Sequence, residues 1–110
     1  DSMMPKLCDA QELTESGREF RVTSDQGPYY VMVFLRGEQV FAFQNVCPHR
    51  HLSLSWAPDK FLIGDDGLLV CPHHGAAFEI ETGECLQGPC AGDRLIPVNV
   101  HLQGEELWLD

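Results

Sequence analysis

The chain has 110 residues, 44% hydrophobic and 22% charged, a length and balance that suit one globular domain and exclude a disordered chain. Seventeen acidic residues against seven basic ones give a net charge of −10, which argues against nucleic acid or an anionic membrane as partner and favours a protein with a basic patch. The longest apolar run, Tyr29 to Leu35, falls far short of the roughly 20 residues that span a bilayer, and Asp1-Ser2-Met3-Met4 lacks the basic and apolar regions of a signal peptide.

In chain order, Asp9-Ala10-Gln11-Glu12 has a capping-box pattern that predicts one short helical turn ending by Gly17. Phe20 and Val22 alternate with Arg21 and Thr23, as in a half-buried strand. Tyr29 to Arg36 is rich in strand formers, and Gly37 turns the chain into Gln39 to Gln44, where Val40 and Ala42 alternate with Phe41 and Phe43. Residues 45 to 66 contain Pro48, Pro58 and Gly64 without a clean period and are predicted as loop. Leu68 to Val70 reads as a short strand feeding into Cys71. Ala77 to Ile80 and Glu84 to Leu86 flank Thr82-Gly83 as a tight hairpin. Gln87 to Cys90 is turn or loop, and Leu95 to Leu102 pairs with Glu106 to Leu109 in a final hairpin. The fold class expected is all-β, in small antiparallel sheets.

Five cysteines, Cys8, Cys47, Cys71, Cys85 and Cys90, make an odd number. That count suits metal binding in a reducing compartment better than a disulfide framework, so the cytoplasm is the expected address. The chemistry concentrates in Cys47-Pro48-His49 and Cys71-Pro72-His73-His74-Gly75, each supplying a thiolate and at least one imidazole from a loop that follows a strand. The prolines preset each turn and remove a backbone donor. Four readings compete: a zinc site, a Cys–His catalytic dyad, unrelated polar residues, and a two-iron cluster. Zinc accepts two Cys and two His, but structural zinc motifs usually group cysteines first and histidines afterwards, whereas each half here mixes the two. A dyad gives no reason for duplication, and chance repetition of Cys-Pro-His in so short a chain is improbable. A two-iron cluster can take both cysteines on one iron and both histidines on the other.

The pair Cys47-x-His49 and Cys71-x-x-His74 resembles the Rieske motif, with Gly75, Phe78, Gly83, Gly88-Pro89 and Leu95 falling where Rieske ferredoxins carry similar residues. The resemblance spans about residue 20 to the C-terminus. It implies one [2Fe–2S] cluster held by Cys47, His49, Cys71 and His74, the cysteines on the inner iron and the histidines on the outer, solvent-facing one. It also implies a Rieske sandwich of three small antiparallel sheets in a single domain, 1–110, with a cluster-binding subdomain from about residue 45 to 90.

The departures from the family pattern are informative. High-potential Rieske proteins of respiratory complexes join the two motifs by a disulfide, but the matching positions here are Leu52 and His73. Those proteins also use serine and tyrosine hydroxyls as donors to the cluster sulfurs, and the matching positions here are Ala76 and Phe78. Donors to sulfur stabilise the reduced cluster, so their loss predicts a potential near about −150 mV rather than about +300 mV. His51 stands where many relatives have glycine, and it is expected near the cluster without binding it.

His73 is expected either beside the site without binding or exposed, and Arg50 with His51 forms a local cationic rim. Cys85 and Cys90 bracket a turn that could bring them together, though two buried thiols are the expected state. Cys8 is expected to be inert. Trp56, Phe61 and Phe78 are expected to pack beneath the cluster and exclude water.

With every ligand supplied by protein, the irons offer no exchangeable position, so the expected role is outer-sphere electron transfer and not catalysis. The resemblance points to a ferredoxin passing electrons from a flavin reductase to an oxygenase, without nucleic acid or membrane as partner. The alternatives are a small Rieske subunit of a larger oxidoreductase such as nitrite reductase, and a zinc-binding structural module.

Overall fold

The computed structural model describes residues 6–48, 53–72, 75–88 and 91–109. Among them the chain forms three antiparallel sheets and one 3-10 turn, which bears out the all-β, three-sheet expectation. The first sheet joins β1 (Lys6–Asp9), β11 (Glu106–Leu109) and β10 (Val100–Gln103) in that spatial order. The second is the meander β2 (Arg18–Ser24), β3 (Gly27–Arg36) and β4 (Gln39–Gln44). The third is five-stranded: β5 (Ser55–Ala57), β6 (Lys60–Ile63), β7 (Leu69–Val70), β8 (Ala77–Phe78) and β9 (Cys85–Gln87).

The run from Val31 to Phe34 is buried without interruption because the meander has a core on both faces. Side chains alternate across a strand, so Val31 and Val33 join Cys8, Leu13, Val22, Ala42 and Leu107 in one core. Met32 and Phe34 join the other, with Phe43, Leu54, Phe61, Leu69 and Phe78. A strand covered on both sides reads as a continuous apolar stretch, which is how Tyr29 to Leu35 appears in the sequence.

Several local expectations change. The helical turn is a single 3-10 turn, Ala10–Glu12, whose Glu12 Oε2 accepts the Asp9 N–H at 3.0 Å. It ends at Leu13, within the limit of Gly17 expected from the sequence. The preceding strand β1 is not legible in the sequence, since four residues paired at a bulge leave too short a pattern. Residues 45 to 66 are not all loop: β5 and β6 form a hairpin across Pro58-Asp59, with Asp59 in the left-handed region at φ 61°. Strands of three and four residues carry no readable period.

The hairpin at Thr82-Gly83 is wider than expected, because β8 and β9 pair from Phe78 with Cys85 and the loop between them runs from 79 to 84. Of the stretch Leu95 to Leu102 only the last three residues are strand, within β10 (Val100–Gln103). The earlier part forms one isolated bridge, Phe43 with Pro97, next to another of Glu84 with Arg94 just before it, and Pro97 has no N–H to extend a ladder.

Candidate metal centre

Each cysteine-bearing loop leaves the end of a strand. After β4, Val46 donates its N–H back to the Gln44 carbonyl at 2.8 Å, and this tight bend turns Cys47 inward, 1% exposed. Cys71 follows β7 directly and is also 1% exposed. Its N–H donates to the Ala76 carbonyl at 2.7 Å, while its own carbonyl accepts the Gly75 N–H at 3.0 Å. Those two bonds hold Gly75 and Ala76 against Cys71, and Gly75 at φ +75° adopts the left-handed backbone that suits glycine.

Cys47 and Cys71 fall in the same buried cluster, with Leu54, Phe61, Leu69, Ala76, Phe78, Cys85 and Leu95 around them. Ala76 and Phe78 are wholly buried and neither has a hydroxyl to offer. The described residues around the two thiols are therefore largely apolar. His49 and His74 lie outside the described residues, as do Arg50, His51, Leu52, His73 and Cys90. Among the described residues no group of three metal-ligating side chains converges. Cys85 is buried, its Sγ donating to the Gln87 carbonyl at 3.2 Å, and the question of its pairing with Cys90 falls outside the described residues.

The aromatic residues divide. Phe61 is buried in this core, its ring edge-on to Phe34 with centroids 5.2 Å apart, and Phe78 is fully enclosed. Trp56 does not pack beneath the site: it is 63% exposed on β5. The reason is strand alternation, which points Ser55 and Ala57 partly inward and the residue between them to solvent. Cys8 belongs to the other core, where burial pushes its thiol pKa above the ordinary value, in keeping with an unreactive side chain.

One part of the site is missed by sequence reasoning. Asn45 is buried two residues before Cys47 and bonds to Leu54, Glu19, Ser53 and Ser55. The signal available is a polar residue at a strand end beside a candidate ligand, but its partner Glu19 lies too far off in sequence for spacing to reveal.

Three antiparallel sheets thus carry two buried cysteines on separate loops that meet in one core. The family model for the Rieske [2Fe-2S] domain matches residues 3–102, and the chain belongs to that family. It is 30% identical over 103 residues to the 3-phenylpropionate/cinnamic acid dioxygenase ferredoxin subunit of Shigella boydii serotype 4 (strain Sb227), covering 94% of this chain and 89% of that one. Among solved structures, a chain from the complex of reduced oxygenase and oxidized ferredoxin in carbazole 1,9a-dioxygenase superposes with a TM-score of 0.73 at 28% identity, covering 99% and 94%. A chain described as the small subunit of an NADPH nitrite reductase superposes with a TM-score of 0.70 at 19% identity, covering 98% of each, a likeness of fold alone.

Membership makes the chain an electron carrier with one [2Fe–2S] cluster, like the ferredoxin subunits it resembles, and not itself a catalyst. The residues present fit that group. Two thiols brought into one apolar core by separate loops can supply the sulfur half of the ligand set, and each loop continues in sequence into a histidine. No helix among the described residues is long and apolar enough to cross a membrane.

Proposed function

We propose that Cys47 and Cys71 bind the inner iron, that His49 and His74 bind the outer one, and that the chain carries single electrons from a flavin reductase to an oxygenase. The observation that supports the ligand set most directly is the joint burial of Cys47 and Cys71 on two loops of one core. When bound, the cluster supplies a one-electron couple that is neutral when oxidised and singly negative when reduced. The protein's own part is to exclude water and to hold the potential low. Leu54, Phe61, Leu69 and Phe78 enclose the thiols, and Ala76 and Phe78 withhold the hydroxyl donors that would stabilise the reduced state.

In this reading residues 1–110 act as one domain, with a cluster-binding subdomain from about residue 45 to 90 formed chiefly by the five-stranded sheet. Thiolate ligands suit the reducing cytoplasm. The oxygenase as acceptor is supported by relatives named as dioxygenase ferredoxin subunits, and the net charge of −10 suits partners with basic docking faces.

The test is reconstitution with a flavin reductase and an aromatic-ring oxygenase. Reduced protein mixed rapidly with oxidised oxygenase should re-oxidise in one phase whose rate falls as salt is added. No transfer to any oxygenase, together with stable co-purification with a nitrite reductase, would assign the chain to the alternative of a fixed small subunit.

A further inference from the structure

Among the described polar and charged side chains Asn45 alone is buried, at 5% exposure, and each of its side-chain polar atoms is used. Its backbone N–H donates to the Tyr30 carbonyl at 2.8 Å, fastening the end of β4 to β3. Its side-chain Oδ1 accepts the Leu54 N–H at 2.7 Å, so one residue grips both ends of the segment 46–53 that contains Cys47 and His49. Its Nδ2 donates to Glu19 Oε2 at 2.6 Å and lies 3.1 and 3.2 Å from the hydroxyls of Ser55 and Ser53. The orientation of the amide follows from its partners, since a backbone N–H requires the oxygen and a carboxylate requires the nitrogen.

Glu19 is itself anchored. Its N–H donates to Asp59 Oδ1 at 2.7 Å, and that oxygen also sits 3.3 Å from Arg18 Nε. The meander, the β5–β6 hairpin and the first cysteine loop therefore meet at the Asn45–Glu19 contact. The bond to a carboxylate is the strong member of the set and costs most to lose.

We propose that Asn45, braced by Glu19, is the positioning residue that sets the geometry of the first ligand loop and thereby holds His49 in place on the outer iron. The inference rests on the reading of His49 as a ligand. Asn45 touches neither metal nor partner; it acts through the loop.

The test compares the cluster-loaded wild type with Asn45→Asp, Glu19→Gln and the double variant, well below the unfolding temperature. Asn45→Asp sets carboxylate against carboxylate, so chelator-driven cluster release should speed up about 10-fold, the low end of what a lost supporting contact does to metal retention. The reduced EPR signal should broaden as the histidine geometry spreads. In the double variant the new amide at position 19 can donate to the new carboxylate at position 45. Release should then return to within about threefold of wild type and the line should sharpen, because the two sites are directly coupled. Should Asn45→Asp fail to accumulate, Glu19→Ala removes the brace alone and should broaden the same signal. Variants with wild-type release and line shape, even if less heat-stable, would overturn the proposal. A wild-type protein without nitrogen coupling in its EPR signal would instead overturn the ligand assignment beneath it.

Discussion

Gly88 lies so close to Ala76 that a Cβ built on Gly88 would stand 2.7 Å from the Ala76 Cα. Ala76 is fully buried, and its carbonyl accepts the Cys71 N–H, so the contact falls on the backbone that holds Cys71. Gly88 also sits at φ +96°, where any side chain is strained. Gly88→Ala is expected to cost about 2–4 kcal/mol through strain and overpacking together. Chemical unfolding of the loaded protein checks this, and a loss under about 0.5 kcal/mol would show that the loop yields freely.

The two aromatic residues of the β5–β6 hairpin should behave oppositely. Phe61→Ala removes a buried ring that packs on Phe34 and should destabilise by about 3–5 kcal/mol. Trp56→Ala removes an exposed ring and should cost less than about 1 kcal/mol. Thermal unfolding of the pair distinguishes them directly, and equal losses would contradict the placement of Trp56 outside the core.

Ala76→Ser introduces a hydroxyl at a fully buried position of the second loop, where high-potential Rieske proteins place a donor. It is expected to raise the reduction potential by on the order of 50 mV, by stabilising the reduced state. Direct electrochemistry reads the shift. An unchanged potential would mean that Ala76 does not face a cluster sulfur.

Cys8 predicts a pH dependence. Burial, the largest cause, raises its folded-state pKa above the ordinary 9.0. The unfolded chain therefore loses this proton first as pH rises, and binds fewer protons than the native state in that window. Stability from this group is complete below about pH 9 and is lost as pH climbs from there through the folded value, at no more than about 1.4 kcal/mol per pH unit. Thermal midpoints measured from about pH 8 to about pH 10.5 should fall more steeply in wild type than in Cys8→Ala. Parallel slopes would remove Cys8 as the cause.

Much of this molecule is written in short-range pattern. The paired cysteine–histidine motifs point to the proposed site because each proposed ligand pair sits within four residues, and Val31 to Phe34 announces a doubly covered strand by its unbroken apolar run. What stays hidden depends on long-range partners. Strand β1 exists because Lys6, Cys8 and Asp9 pair with residues near the opposite end of the chain. The β5–β6 hairpin is stabilised where Asp59 takes the Glu19 N–H, forty residues away. Trp56 reads as a core aromatic by residue type, and only the register of a three-residue strand turns it outward. Asn45 likewise looks like an ordinary loop residue until Glu19 and Leu54 are brought against it.

The central claim is that a two-cysteine, two-histidine [2Fe–2S] cluster gives this chain its electron. The most direct measurement is pulsed EPR on the dithionite-reduced protein, with iron and sulfide assayed on the same sample. The account predicts two irons and two sulfides per chain, an average g below that of all-cysteine clusters, and two coordinated nitrogens, one lost in His49→Cys and the other in His74→Cys. A colourless protein with stoichiometric zinc, or an iron–sulfur signal without nitrogen coupling, would contradict it.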